Sequence, residues 1–180
     1  MNLTRMSRMM SYLLRHEKGF FGPDGFVPVT KLVERMQEKY PGFNADILDE
    51  IVRTDPKGRY AYDDRKRNIR AVQGHSVPVD LDLKPVEPPD VLFHGTSVSV
   101  RSNIMNEGIT KQTRQYVHLS VDIATATAVG MRHAHQQDKL LILQVDSGRM
   151  YQEGYLFFQA ENGVWLTNWV PPAYLHDLRE

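Results

Sequence analysis

Apolar residues in the first third of the chain recur with helical spacing. In SRMMSYLLRHEKG, with Met6 just before it, Met6, Met9, Met10, Leu13 and Leu14 fall near a 3.6-residue period and predict a helix that buries one face. That stretch closes on Arg15 and His16 with no spacer after the two leucines. PDGFVPVT supplies turn chemistry and a short extended piece. Thr30 then stands where it could cap KLVERMQEKY, which Pro41 and Gly42 end. Asn44 is placed to cap ADILDEIVRT, whose Ile47, Leu48, Ile51 and Val52 form one stripe. After it come RYAY, a polar turn at Asp63 and Asp64, and NIRAVQG, which together predict a two-stranded ribbon.

Between residues 78 and 90 the pattern stops. Pro78, Pro85, Pro88 and Pro89 oppose both helix and central strand, so this segment reads as a linker between lobes at 1–77 and 91–180. Beyond it the periods alternate. VLFHGTS predicts a strand, and VRSNIMNEG a helix ended by Gly108. YVHLS predicts a strand, and DIATATAVGMRHAH a helix opened by Asp122. LLILQVD, YLFFQA and VWLTNWV follow as strands. The fold class expected is α+β. Three short helices and a ribbon give the first lobe the order of a winged helix. The second lobe lacks the regular alternation and the GxGxxG loop of a doubly wound sheet.

Composition narrows this picture. The chain has 180 residues, 41% of them apolar, enough for one medium domain or two small ones. It has no cysteine, which excludes disulfides, thiolate metal sites and a cysteine nucleophile. No stretch approaches the roughly 20 apolar residues of a membrane span, and no signal-peptide core precedes the first arginines. A soluble, cytoplasmic protein is expected. The formal net charge is zero. Residues 1–79 nevertheless carry 14 lysines and arginines against 10 acids, and the remainder 8 against 12. A basic half suits a polyanionic partner as well as it suits plain solvated surface.

Candidate chemistry sits in short polar interruptions of apolar runs. FHGTS places His94 at a strand end, with Gly95 permitting close approach to the backbone and Thr96 adding a hydroxyl. VHLS repeats the theme with His118 and Ser120, Val117 and Leu119 facing the other way. AVQGHS leaves His75 and Ser76 after a turn at Gly74. Alone, FHGTS favours an ordinary polar turn and a single strand histidine is more often structural, but two strand histidines, each with a hydroxyl residue two positions later, are harder to dismiss. Arginine is always charged, and its forked donors match phosphate oxygens. Arg15, Arg59 and Arg114 come from three separate elements. Metal is not expected: His133 and His135, two apart on a predicted helix, would diverge, and no HExxH or EF-hand loop is present.

Six segments in order resemble the RNA 2′-phosphotransferase family (Tpt/KptA) over nearly the whole chain. They are MSYLLRHEKGF at 10–20, GRYAY followed by IRAVQGHS within 58–76, LFHGTS at 92–97, TRQYVHLS at 113–120, ATAVGMRH at 126–133 and NGVWLTNWVPPAYL at 162–175. The resemblance implies an N-terminal winged-helix lobe that holds RNA and a C-terminal ADP-ribosyltransferase-like lobe that holds NAD+. It implies transfer of an internal RNA 2′-phosphate, such as one left at a tRNA splice junction, to NAD+ as co-substrate. The products would be 2′-hydroxyl RNA, nicotinamide and ADP-ribose 1″,2″-cyclic phosphate, formed through an RNA-2′-phospho-ADP-ribose intermediate without a metal.

Carried onto this chain, the family's Arg-His-Arg-Arg set falls on Arg15, His16, Arg59 and Arg114. Arg59 is chosen over Arg65, Arg67 and Arg70 by its Gly58-Arg59-Tyr60 context. His94, Gly95, Thr96, Gly108, His118 and Ser120 are assigned to NAD+, and Lys18, His75 and Ser76 to RNA. The region where many ADP-ribosyltransferases place a catalytic glutamate, NGVWLT, has no acid here, and Glu161 lies just before it. A monomer is expected. Two alternatives carry their own discriminating observation. An ADP-ribosyltransferase acting on nucleic-acid ends or protein would leave stable ADP-ribose on its target, and a non-catalytic winged-helix binder would not bind NAD+.

Overall fold

The computed structural model describes residues 2–132 and 139–179, and the chain divides into two compact units, 1–82 and 83–180. The division falls inside the proline-containing segment. Helix and sheet are mixed in both units, as an α+β chain requires.

In the N-terminal unit the order is α1 (Leu3–His16), β1 (Val27–Pro28), α2 (Val29–Gln37), α3 (Ala45–Thr54), β2 (Tyr60–Tyr62) and β3 (Asn68–Ala71). The three strands form an antiparallel sheet in the order β1-β3-β2, with Val27 opposite Ile69 and Tyr60 opposite Ala71. The ribbon expected from RYAY and NIRAVQG is therefore present, and it gains a third strand from the short extended piece before α2. The helices take their predicted faces. Met6, Met10, Leu13 and Leu14 of α1, Leu32 and Met36 of α2, and Leu48 and Ile51 of α3 are buried with Phe43 and Ile69 in one core.

Two helix starts differ from expectation. α1 begins at Leu3, because Asn2 Oδ1 accepts the Arg5 N–H at 3.1 Å. α2 begins at Val29 rather than after Thr30, and Pro28 occupies its cap position with no side-chain bond. The reason is tertiary: Pro28 is still paired with Asn68, and the Val29 N–H donates to the Arg67 carbonyl at 2.9 Å, so the helix springs directly from the strand. Asn44 does cap α3, its side chain accepting the Ile47 N–H at 3.0 Å.

The C-terminal unit contains β4 (Leu92–Ser97), α4 (Arg101–Glu107), β5 (Ile109–Thr110), β6 (Val117–Leu119), α5 (Ile123–Gly130), β7 (Leu140–Val145), α6 (Ser147–Gln152), β8 (Phe157–Gln159), β9 (Trp165–Thr167), β10 (Trp169–Val170) and β11 (Leu175–Asp177). Two antiparallel three-stranded sheets, β11-β7-β4 and β6-β9-β8, form its body, and β5 pairs with β10. The sheets are joined at one residue pair: Phe93 and Ser120 exchange both backbone hydrogen bonds at 2.8 Å. Leu92, Leu141, Leu143 and Val145 are buried with Val117, Leu119, Phe157 and Trp165 in a second core. Among the described residues no helix is long and apolar enough to cross a membrane.

Candidate functional site

At the end of α1 the chain makes an anchored pair of basic side chains. Leu13 and Leu14 are 1% and 0% exposed, which fixes the last turn of the helix against the core. Glu17 then leaves helical geometry. Residues 74–76 run alongside. Gly74 has φ +89°, a conformation that disfavours a side chain, and a Cβ there would lie 3.4 Å from Arg15 Nε. The Ser76 N–H donates to the Arg15 carbonyl at 3.1 Å, and Ser76 Oγ lies 2.9 Å from His16 Nδ1. Arg15 Nη1 donates to Ser11 Oγ at 2.6 Å, one helical turn back. Backbone and side chain of one serine thus hold both residues of the Arg15-His16 pair. The hydroxyl can donate or accept, so either tautomer of His16 is accommodated.

Arg59 stands immediately before β2. Its main-chain N–H donates to Asp55 Oδ2 at 2.6 Å, and its Nη1 pairs with Asp55 Oδ1. Tyr60, the next residue, donates its hydroxyl to the Ser7 carbonyl at 2.7 Å. Burial raises the Tyr60 pKa, while Arg15 and Arg59 both pull it down, so both cations act on this one hydroxyl. Arg70 instead stacks over the Phe26 ring at 4.6 Å, and Arg65 and Arg67 are exposed in the β2–β3 turn. Lys18 is exposed in the turn after α1.

His75 is 1% exposed and packs edge-on against Phe21, with ring centroids 5.7 Å apart. Burial, then the charges of Arg15, His16 and Arg70, push its pKa down to about 4. It is therefore a neutral ring at pH 7 amid cations, suited to supporting residues 74–76 rather than to meeting an anion.

In the C-terminal unit His94 and His118 meet. His94 Nδ1 lies 3.1 Å from the His118 carbonyl. A carbonyl only accepts, so His94 Nδ1 is the donor in this contact. Ser120 is held by its backbone exchange with Phe93, which keeps β4 and β6 in register around this pair.

Gly95 has a different role from the one its neighbours suggested. A Cβ there would stand 1.8 Å from the Ala126 carbonyl oxygen and 3.0 Å from the Gly130 nitrogen. The backbone that approaches Gly95 on that side is the chain's own α5. Gly108 is similar: its φ is +84°, and a Cβ would lie 2.2 Å from the Val170 carbonyl oxygen. It ends α4, turns the chain into β5 and lets β10 cross closely.

Arg114 lies exposed on the turn before β6, its N–H donating to the Lys111 carbonyl at 3.0 Å. Desolvation of its guanidinium by neighbouring groups, then the nearby charge of Arg132, pull the Arg114 pKa below the ordinary arginine value. Arg132 is a neighbour that sequence reasoning did not single out. Its Nε is held by the Ala128 carbonyl at 3.2 Å, just past the end of α5. No pattern in GMRHAH distinguished it from a solvated helical arginine. Glu161 is exposed in the turn before β9, while His133 and His135 lie outside the described residues. Among the described residues, no group of three or more His, Asp or Glu side chains could hold a metal ion.

Comparison with known proteins agrees with the sequence resemblance. Residues 1–169 match the family described as RNA 2′-phosphotransferase, Tpt1 / KptA family. The chain is 46% identical to the probable RNA 2′-phosphotransferase of Rhizobium leguminosarum bv. trifolii over 96% of its own length and 92% of the relative's. It is 39% identical to the protein of that name from Fusobacterium nucleatum, covering 97% and 98%, and 41% identical to that of Nostoc punctiforme, covering 98% and 97%.

Proposed function

The chain belongs to the RNA 2′-phosphotransferase family, and from that membership we propose that it transfers an internal RNA 2′-phosphate to NAD+. Nicotinamide, 2′-hydroxyl RNA and ADP-ribose 1″,2″-cyclic phosphate would be the products. The family match over residues 1–169 carries this reading. The local geometry supports it. In this reading the N-terminal unit is a winged-helix lobe for RNA and the C-terminal unit an ADP-ribosyltransferase-like lobe for NAD+.

The residues suit the groups they would meet. Arg15, Arg59 and Arg114 each carry forked donors that suit phosphate oxygens. Ser76 holds His16 in place, so little side-chain freedom is lost when an anion binds. His94, oriented by its Nδ1 contact to the His118 carbonyl, suits a ribose hydroxyl, and Thr96 and Ser120 add hydroxyls. NAD+ supplies a carbon whose leaving group is already cationic.

The balance is simple. A 2′-phosphate oxygen bonds to the ribose carbon C1″ as the bond to nicotinamide breaks. Ribose O2″ then bonds to phosphorus as the bond to RNA O2′ breaks, and the proton of O2″ is delivered to O2′. The phosphate is anionic throughout, so the first step needs no base. In the second, charge gathers on phosphate oxygens, where fixed arginine donors stabilise it best. His16 is the group able to move the proton near neutral pH. The test is incubation of 2′-phosphorylated RNA with and without NAD+. Phosphate removal that depends on NAD+ is the expected result. Stable ADP-ribosylation of RNA ends with the 2′-phosphate retained would replace this reading by that of an end-modifying transferase.

A further inference from the structure

α1 carries chemistry that the reaction above does not use. Its fourteen residues include no acid, and its bases are Arg5, Arg8, Arg15 and His16. Met6, Met10, Leu13 and Leu14 take the buried face. On the outer face Arg5, Arg8 and Tyr12 follow at spacings of three and four, which sets them in one row. The row continues to His16, whose ring centroid is 5.9 Å from that of Tyr12. Lys39 and Tyr40, just past α2, form the facing wall, with Lys39 Nζ 6.0 Å from the Tyr40 ring centre. Arg5, Arg8, Met9, Tyr12, Lys39 and Tyr40 line an open cavity of about 620 Å³.

The lining contains no acid. Glu38, beside Lys39 in sequence, is paired with Arg35. Tyr12 is 54% exposed, so its ring is open to a flat ligand face. Cations alone on a helix would be an ordinary solvated face. Cations interleaved with two tyrosines in a concavity match an alternating ligand, one with anionic links and flat faces. A single nucleic-acid strand has that character, whereas a duplex keeps its base faces stacked and out of reach.

We propose that this groove holds the single-stranded RNA flanking the reactive nucleotide. Arg5, Arg8 and Lys39 would contact phosphates and Tyr12 would stack on a base. The strand would run along α1 toward His16. Arg5 and Arg15 are about 15 Å apart along a helix axis, so the contact spans a short run of nucleotides. The inference rests on the reading above only in taking RNA as the substrate.

Fluorescence anisotropy with a labelled single-stranded RNA lacking any 2′-phosphate, without NAD+, tests it. The double variant Arg5→Ala/Arg8→Ala should weaken binding about tenfold and flatten the slope of log K against log salt by about 1 to 1.5. Tyr12→Ala should weaken binding about tenfold with the salt slope retained, and Tyr12→Phe should restore it. Arg53→Ala, an exposed cation of α3 outside the groove, should have little effect. Wild-type binding by the groove variants, or an equal loss from Arg53→Ala, would overturn the proposal.

Turnover separates this from the parent reading. If the groove variants lose RNA binding but the wild-type protein never removes a 2′-phosphate with NAD+, the groove stands and the reaction falls. If NAD+-dependent removal occurs while those variants bind RNA normally, the groove alone falls.

Discussion

Gly95→Ala is the most informative single perturbation of the C-terminal unit. The strand β4 carries His94 and Thr96, and α5 packs on it backbone to backbone. The added methyl would lie 1.8 Å from the Ala126 carbonyl oxygen and 2.6 Å from its carbon. Ordinary contact is about 3.5 Å, so α5 or β4 must move by about 1.7 Å. No rotamer change relieves this, because the obstacle is main chain. Overpacking of this kind costs about 1–3 kcal/mol and rises above that where backbone is displaced. The smaller unfolded-state entropy of alanine returns about 0.4–1 kcal/mol. We expect a net loss of about 3 kcal/mol, read as a lower urea midpoint with an unchanged slope. Gly130→Ala should lose less, since its nearest obstacle, Leu140 Cδ1 at 2.4 Å, ends a side chain that can turn, and its main-chain obstacles, Gly95 C and Thr96 N, stand at 2.9 Å rather than 1.8 Å. The two contacts are shared, so the double variant should lose less than the sum. Gly95→Ala at wild-type stability would refute the account of how α5 sets β4.

Three further outcomes follow from the same structure. His75 has a folded pKa of about 4 against an ordinary 6.5, so its neutral form stabilises the fold above pH 6.5 and that contribution, about 3 kcal/mol, is lost as pH falls from 6.5 to 4; urea titrations across that range should show His75→Gln losing much of the pH dependence. Arg179, with Arg101, holds the Asp177 carboxyl well below its usual range, so Asp177 contributes stability at neutral pH that is lost only in strong acid. Asp177→Asn should cost about 2 kcal/mol at pH 7 and less below pH 3. Ser76→Ala should lower kcat/KM for 2′-phosphorylated RNA about tenfold by freeing His16, with Ser76→Thr restoring it and the pH–rate profile shifting; an unchanged profile would make Ser76 merely structural.

What the sequence could show followed from how local each signal is. α1 and α3 were readable because their buried residues recur within one helix, and Asn44 caps its own helix three residues on. The start of α2 was not, because strand pairing with Asn68 decides it. Three elements depend on distant partners: β1, β5 and β11 are two or three residues long and exist through pairing with β3, β10 and β7. α6 is six residues long, too short for a helical period to emerge. The chemistry divides similarly. Arg15, His16 and Ser76 stand in recognisable segments, but the double hold of Ser76 on the other two joins positions sixty residues apart. Gly95 was visible as a glycine while its reason, the α5 backbone, was not.

The central claim is that 2′-phosphate removal and nicotinamide release are one coupled reaction. Single-turnover quantitation of nicotinamide and 2′-hydroxyl RNA from the same sample tests it most directly. The account predicts one nicotinamide for each phosphate removed, and none when the RNA lacks a 2′-phosphate. Release of inorganic phosphate from the RNA without nicotinamide would contradict it.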